Sequence, residues 1–449
     1  MQYYLDKFVK VFFYRGTLIN TDIINVLMFV ATIIILTNLN GIFNLIFGVS
    51  APFSPLILPC VLLPTFFFMV TGVKFHILCT MYVVSLLCYL IMSGISLIGH
   101  IQEHDPELLE DNTYLKNTRL YLVSILTVFS FYVYTRYKIK KNQLLPFIEF
   151  CTILFLATTA LTPLAEVLGL NDVYEFGIVT DTYDRKTGAF KNPNSAGSHA
   201  NLTLVFVLFM LTITKGWKSV LYLVLVPIPV IASIATYSKA SLIMSVLVFF
   251  IFIFFVLFRK VIALNVKSNI NRITRITMIV MIAAVVYAPF YLISKFEELS
   301  HPQQQRIMQT IRLVSGEINE ETTSHRSRVY AEGIYLIKKH PLIGFGFAGL
   351  HRLPVAGFGV HNSYLAMIGE AGIFVGILFL IWLLLSLYYA VFNRYPFQLK
   401  FFCFGVLCVL FIQVYFPTAA GFGDRVGTLV LGIIFGILSF KRDVYEKVD

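Results

Sequence analysis

His361-Asn-Ser-Tyr-Leu-Ala-Met-Ile-Gly-Glu370-Ala-Gly372 runs straight into the apolar stretch Ile373–Leu385. A helix over 362–392 that turns wholly apolar after its opening turns can cross a hydrocarbon core about 30 Å thick, since each residue rises about 1.5 Å. Comparable runs recur near 21–38, 52–73, 75–99, 118–135, 144–170, 196–214, 219–237, 240–258, 276–294, 401–418 and 425–440. The 449 residues are 58% hydrophobic and only 13% charged, whereas a soluble domain carries about a quarter charged residues. In lipid only helices and closed barrels satisfy their own backbone polar groups. The expectation is therefore an all-α, polytopic integral membrane protein with about 12 transmembrane helices, forming a single transmembrane domain over 1–449. Met1–Arg15 has no small-residue cleavage site and reads as part of the protein rather than a removed signal peptide.

Short connections rich in lysine and arginine stay in the cytoplasm. One set of connections holds Lys7, Lys10, Arg15, Lys74, Arg136, Lys138, Lys140, Lys141, Lys215, Lys218, Arg259, Lys260, Arg394, Lys400, Lys441 and Arg442. This places both termini in the cytoplasm and puts 100–117, 171–195, 296–361 and 419–424 outside. The last-but-one of these, 296–361, is too long for a turn and is expected to be a large helical loop. Within it, His301–Val314 has the amphipathic pattern of a helix lying in the membrane interface. A second helix is expected from Ser324 to Lys339, stopped by Pro341. Arg326 and Arg328 are two apart and so lie on nearly opposite sides of it, and only one of them can point at a shared site.

The outer segments nonetheless carry Arg185, Lys186, Lys191, Arg306, Arg312, Arg326, Arg328, Arg352 and Arg425. This cluster runs against the charge rule, and a diphosphate is its natural partner because guanidinium groups bind phosphate oxygens in pairs. The net charge of +11 points the same way, to lipid headgroups or a phosphorylated substrate, and no nucleic acid is expected. His361 sits where a titratable ring at a membrane–water boundary can hold or take a proton near neutral pH; the plainer alternative is a ring anchoring a helix end among headgroups. Glu370 lies two and a half turns deeper on another side of the helix and reads as a packing partner. All six cysteines fall inside expected spans and read as small buried hydrophobes.

Three short strings invite over-reading. His100-Ile-Gln-Glu103-His104 matches a zinc-protease pattern, but has no third ligand in view, and no metal site is expected. Gly344-Phe-Gly346-Phe-Ala-Gly349 matches a dinucleotide fingerprint but follows a helix instead of a strand, so its glycines read as a tight re-entry into the membrane. Ser238-Lys239 reads as a break between two spans, with the lysine snorkelling outward.

Three separated segments carry a family resemblance: Arg185-Lys-Thr-Gly188-Ala-Phe190-Lys-Asn192-Pro193-Asn194-Ser-Ala-Gly197; then Arg326, Tyr330 and His340-Pro341-Leu342-Ile-Gly344-Phe-Gly346; then His361-Asn362 with Leu365, Glu370, Gly372 and Gly376. In this order they resemble the O-antigen polymerase and O-antigen ligase superfamily of bacterial cell envelopes, over roughly residues 180–380.

The resemblance implies a GT-C-like glycosyltransferase in the bacterial inner membrane. Its donor would be a glycan on undecaprenyl diphosphate, its active site periplasmic, with no cofactor and no metal. It also implies an undecaprenyl-diphosphate-linked oligosaccharide and membrane lipids as partners, with a chain-length regulator as a candidate. Under it His361 and Arg326 are the catalytic residues, and Arg185, Arg328, Lys239 and Asn194 bind the donor diphosphate. Lys239 stands where many members have arginine, and Asn194 is expected to cap the next helix and aim its amides outward. Val375 stands where ligases place a small or aromatic residue. The leading expectation is a polymerase joining repeat units with inversion, ahead of a ligase moving the glycan to lipid A-core, and of a transporter or flippase for the same lipid-linked sugar.

Overall fold

The computed structural model describes residues 21–47, 53–70, 75–99, 113–168, 186–190, 192–259, 273–279, 294, 296–298, 301–317, 326–347, 350, 360, 362–393, 395–415 and 424–440. Among the described residues there is no strand. The helices are α1 (Thr21–Leu36), α2 (Leu39–Phe47), α3 (Ser54–Val70), α4 (Ile77–Gly99), α5 (Thr113–Lys140), α6 (Leu144–Val167), α7 (Pro193–Ile213), α8 (Trp217–Leu225), α9 (Pro227–Ala235), α10 (Lys239–Leu257), α11 (His301–Val314), α12 (Arg326–Lys339), α13 (Ser363–Ala371), α14 (Ile373–Phe392), α15 (Phe397–Cys408) and α16 (Arg425–Leu438). Among the described residues eight segments are long and apolar enough to cross a membrane, α8 and α9 together forming one of them, and the bent pair α1–α2 is a further candidate. The chain is thus an all-α polytopic membrane protein. The span expected at 276–294 falls mostly outside the described residues.

α7 is the hub. It is buried almost all round and packs against α6, α8, α9, α10 and α15. A helix that is apolar on every side belongs in the middle of a bundle. α14 is the opposite case. Phe374, Ile377, Ile381, Leu384 and Tyr388 form an exposed apolar stripe, suited to lipid, where burial in protein confers no advantage on a leucine.

The closest helix pairing joins α16 to α5. Gly432 and Gly436, four residues apart, lie against Val128, Phe131, Tyr132 and Thr135. A methyl group on Gly432 would stand 2.6 Å from the Val128 carbonyl oxygen, and one on Gly436 would stand 2.6 Å from Thr135 Cβ. Small residues on one face let two backbones approach where no hydrophobic force drives helices together.

α7, α10, α13 and α16 all begin at the same end of the bundle, here called the upper end: Ser238 bonds Asn194, Ser363 N–H bonds Tyr415 O just past α15, and Asp424 and Arg425 line a cavity with Ser195 and Ser198. The connections 141–143 and 214–216 lie at the lower end, and Tyr395 Oη donates to the carbonyls of Leu438 (3.0 Å) and Phe440 (2.6 Å) there, closing the end of α16. The basic connections 140–143 and 215–218 thus share one end of the bundle.

Gly432→Leu forces α16 off α5. Overpacking of this kind costs about 1–3 kcal/mol, and the expected outcome is a lowered melting temperature of the purified protein in detergent, read by intrinsic fluorescence. An unchanged melting temperature would show that the pair tolerates separation.

Candidate functional site

Two of the three quoted segments meet each other. The turn 340–347 packs onto the junction of α13 and α14, where Gly372 has φ +90°. Phe345 N–H donates to Gly369 O (2.7 Å), Gly346 N–H to Glu370 O (3.0 Å), and Ile373 N–H to Pro341 O (2.9 Å). Gly344 and Gly346 have φ of +72° and +85°. Backbone fills the space where their side chains would stand: that of Glu370 within 2.6 Å of Gly344, and that of Leu97 closer still to Gly346. Ser96 Oγ donates to Ile343 O, and Tyr89 Oη to the Glu370 carboxylate. The His340–Gly346 string is thus a structural plug that satisfies a broken helix, and Glu370 is a packing partner bound to α4.

The first segment caps α7. Asn38 Nδ2, at the elbow between α1 and α2, donates to Ala189 O (2.6 Å), and Lys186 N–H donates to Ala235 O at the end of α9 (3.1 Å). Asn192 is the N-cap of α7, its side chain accepting from Asn194 N–H (2.7 Å), and Pro193 occupies the first helical position. Asn194 is therefore not the cap. Its Oδ1 instead accepts from Ser238 Oγ (2.7 Å), the N-cap of α10, which brings Lys239, the first residue of α10, beside the start of α7. The Ser238-Lys239 pair is a break between two helices, as read from the sequence.

Below these starts a polar network crosses the bundle. After Cys408, α15 widens into a π-helix over Val409–Val414, and the added residue per turn re-aims Gln413 toward α7. Asn201 Nδ2 reaches Gln413 Oε1 (2.8 Å) and Ser241 O (3.0 Å), while Ser245 Oγ donates to Asn201 Oδ1 (2.7 Å). Ser233 Oγ joins Ser241 and Ser245 at 2.6 and 2.8 Å. The same π segment holds α13: Ser363 N–H donates to Tyr415 O (3.0 Å) and Tyr364 Oη to Phe411 O (2.7 Å). Asn362 caps α13 through Tyr364 and Leu365 N–H.

A cavity of about 320 Å³ opens beside the start of α7, lined by Asn38, Asn40, Phe190, Ser195, Ser198, His199, Asp424 and Arg425, with Ile34, Ile35, Ile57, Leu202, Val414 and Val426 as its apolar wall. His199 Nε2 lies 2.9 Å from Leu36 O and Nδ1 lies 3.1 Å from Thr159 Oγ1. A carbonyl only accepts, so Nε2 donates to it, and in the neutral ring Nδ1 accepts from the threonine hydroxyl. Both ring nitrogens are committed, and the ring, flanked by Phe155 and Phe190 at 4.7 and 4.8 Å, braces α1, α6 and α7. Asp424 is the N-cap of α16, accepting from Gly427 N–H. Burial pushes its carboxyl above the usual range, opposed by that N–H and by Arg425.

Of the residues singled out in the sequence, Arg185 and His361 lie outside the described residues, as does the Arg326 side chain. Arg326 opens α12, which ends at Lys339 ahead of Pro341. Arg328 is exposed, with Nε 3.4 Å from Glu332 Oε1 one turn on, a pairing of little energetic weight. Lys239 is half-buried, and Asn194 is engaged as above. Sequence reading missed His199, although an intramembrane ionisable residue is itself a signal. It placed Arg425 in the outer cationic cluster but gave Asp424 no role, although an aspartate before an apolar run is a helix-start signal.

Residues 221–380 match the family described as O-antigen ligase. The match runs from within α8 to the first turns of α14, including the plug at 340–347 and the start of α13, and supports a relation to the O-antigen ligase and polymerase superfamily. It supports ligase- or polymerase-type activity on lipid-linked glycans, as carried out by glycosyltransferase-like enzymes of lipopolysaccharide synthesis. None of the curated proteins compared with the chain matches it at a significant level.

Asn201→Ala removes the joint of the polar network and leaves buried partners unmatched, at a cost of about 1–3 kcal/mol. The expected outcome is a lower melting temperature for the variant in detergent, larger than that of a matched exposed control such as Trp217→Ala.

Proposed function

We propose that this protein is an inner-membrane polymerase that joins undecaprenyl-diphosphate-linked repeat units at the periplasmic face, with both termini in the cytoplasm. The observation that carries the reading is the gathering of four helix starts at one end of the bundle, with Lys239 and Arg425 among them. Amide groups at helix starts and fixed cations stabilise a departing diphosphate without reorganising.

In this mechanism a hydroxyl of one lipid-linked glycan attacks the anomeric carbon of another from the side opposite the diphosphate. The new glycosidic bond forms as the bond to the diphosphate oxygen breaks, and configuration inverts. His361 takes the hydroxyl proton, a role that requires a ring within hydrogen-bond reach. Its neighbour Asn362 caps α13, whose first turn is tied to the π segment through Ser363 and Tyr364. Arg185, Arg326 and Lys239 receive the charge growing on the diphosphate, with Asn194 holding the first turn of α7 against α10. Arg328, turned to solvent and Glu332, is left out of the site, and Arg326 is the arginine of α12 that serves it.

A ligase is the second reading, favoured by the match of residues 221–380 to the O-antigen ligase family. The two part on a gel of surface lipopolysaccharide from a deletion strain: core carrying a single repeat means that a polymerase was lost, and core carrying none means a ligase.

His361→Ala is expected to abolish long glycan chains while leaving the protein at wild-type level in the membrane. Normal chain length in that variant removes His361 from the chemistry. Arg326→Ala is expected to lose nearly all activity, while Arg328→Ala stays within about twofold of wild type, as for an exposed ion pair. The reverse order would reassign the two arginines.

A further inference from the structure

α7 separates two flanks at the upper end. Asn194, Gly197 and Asn201 face α10: Asn194 bonds to Ser238, Asn201 to Ser241, and a side chain at Gly197 would strike Ser241. Ser195, Ser198 and Leu202, one helical position round (about 100°), face the cavity beside α16. Lys239 therefore stands on one flank and Arg425 on the other.

The second flank has the chemistry of a lipid headgroup site. Its outer wall offers the Arg425 guanidinium and the serines of α7. Its inner wall offers Ile34, Ile57 and Leu202. Leu202 lies seven residues below Ser195, a descent of about 10 Å along α7, so one occupant would meet polar groups first and hydrocarbon behind. Among the described residues the titratable groups near it are Asp424, Arg425, Arg119 and His199. Both ring nitrogens of His199 are taken, by Leu36 O and Thr159 Oγ1. One Asp424 oxygen is held by Gly427 N–H. Arg119, at the upper end of α5, adds a second positive field at Arg425. The balance is cationic, and Arg425 occupies the first turn of α16, where the helix dipole disfavours a cation and favours an anion.

We propose that this cavity binds the phosphate head of a membrane lipid, with Arg425 as its ligand, at a site separate from the Lys239 flank. The choice of a polyprenyl diphosphate as occupant rests on the proposed function, since a polymerase must hold two such lipids at once; the cationic, amphiphilic form of the cavity does not. The two flanks would then seat the two lipid-linked substrates on either side of the α7 start.

The test uses the full chain in nanodiscs of zwitterionic lipid, with undecaprenyl diphosphate, phosphatidylglycerol and inorganic pyrophosphate as separate probes. Arg425→Gln is expected to weaken undecaprenyl diphosphate binding about tenfold, the worth of one charge-assisted contact, with Arg425→Lys intermediate. Combination with Lys239→Gln should weaken it further, as independent sites do. In a second measurement, Ser195→Cys is labelled by a thiol reagent with Arg425 intact, and undecaprenyl diphosphate should protect it. Protection by phosphatidylglycerol alone, lost in Arg425→Gln, still supports a lipid phosphate site but assigns it to bulk lipid, and then the two-substrate use fails while the polymerase reading stands on His361. Protection by pyrophosphate as strong as by either lipid, or unchanged binding and labelling in Arg425→Gln, overturns the site.

Discussion

A backbone carbonyl or amide set free inside a bilayer has no water to turn to, and several of the described breaks in this bundle are closed by a partner from elsewhere in the chain. Where α1 ends, His199 from α7 takes the Leu36 carbonyl. Where α13 meets α14, Pro341 accepts from Ile373 and the amides of Phe345 and Gly346 fill the carbonyls of Gly369 and Glu370. At the end of the π segment Ser363 reaches Tyr415, and at the end of α16 Tyr395 reaches Leu438 and Phe440. Irregular backbone survives at membrane depth only on these terms.

The breaks are also what give the upper end its character. An uninterrupted helix presents only its side chains, whereas a broken one presents a new start, with free N–H groups and a cap. α7, α10, α13 and α16 each begin with an asparagine, serine or aspartate cap, and three of the four are tied through the Asn201, Gln413 and Tyr415 neighbourhood. The motifs that looked chemical therefore divide in two. The His-Pro-Leu and glycine string is a plug. The Asn-Pro-Asn string is a cap that brings the starts of α7 and α10 together.

Buried polar groups in α7 follow the same logic. A hydrogen bond between membrane helices is worth little net, because the separated helices find other partners. Its value here is orientation: Asn201 can meet Gln413, Ser241 and Ser245 together only in one rotation of α7. That rotation sends 194, 197 and 201 toward α10 and 195, 198 and 202 toward the cavity.

Much of the fold was legible in the sequence, because a hydrocarbon core imposes length and polarity on each span and because basic residues mark one end of a bundle. The apolar runs gave most of the described helices, His301–Val314 emerged with its expected bounds, while the helix expected over 362–392 is broken at Gly372. Single-residue roles were less legible. Asn194 looked like a cap and is a tether, because Asn192 two residues earlier holds the N–H that a cap must hold. His199 looked like one more residue of a span and proved to brace three helices, because the carbonyl it satisfies belongs to Leu36, more than a hundred residues away. Composition and periodicity are local, and they determine which segments enter the membrane. Which side chain meets which orphaned backbone group depends on how helices rotate against one another, and only the packed bundle decides that.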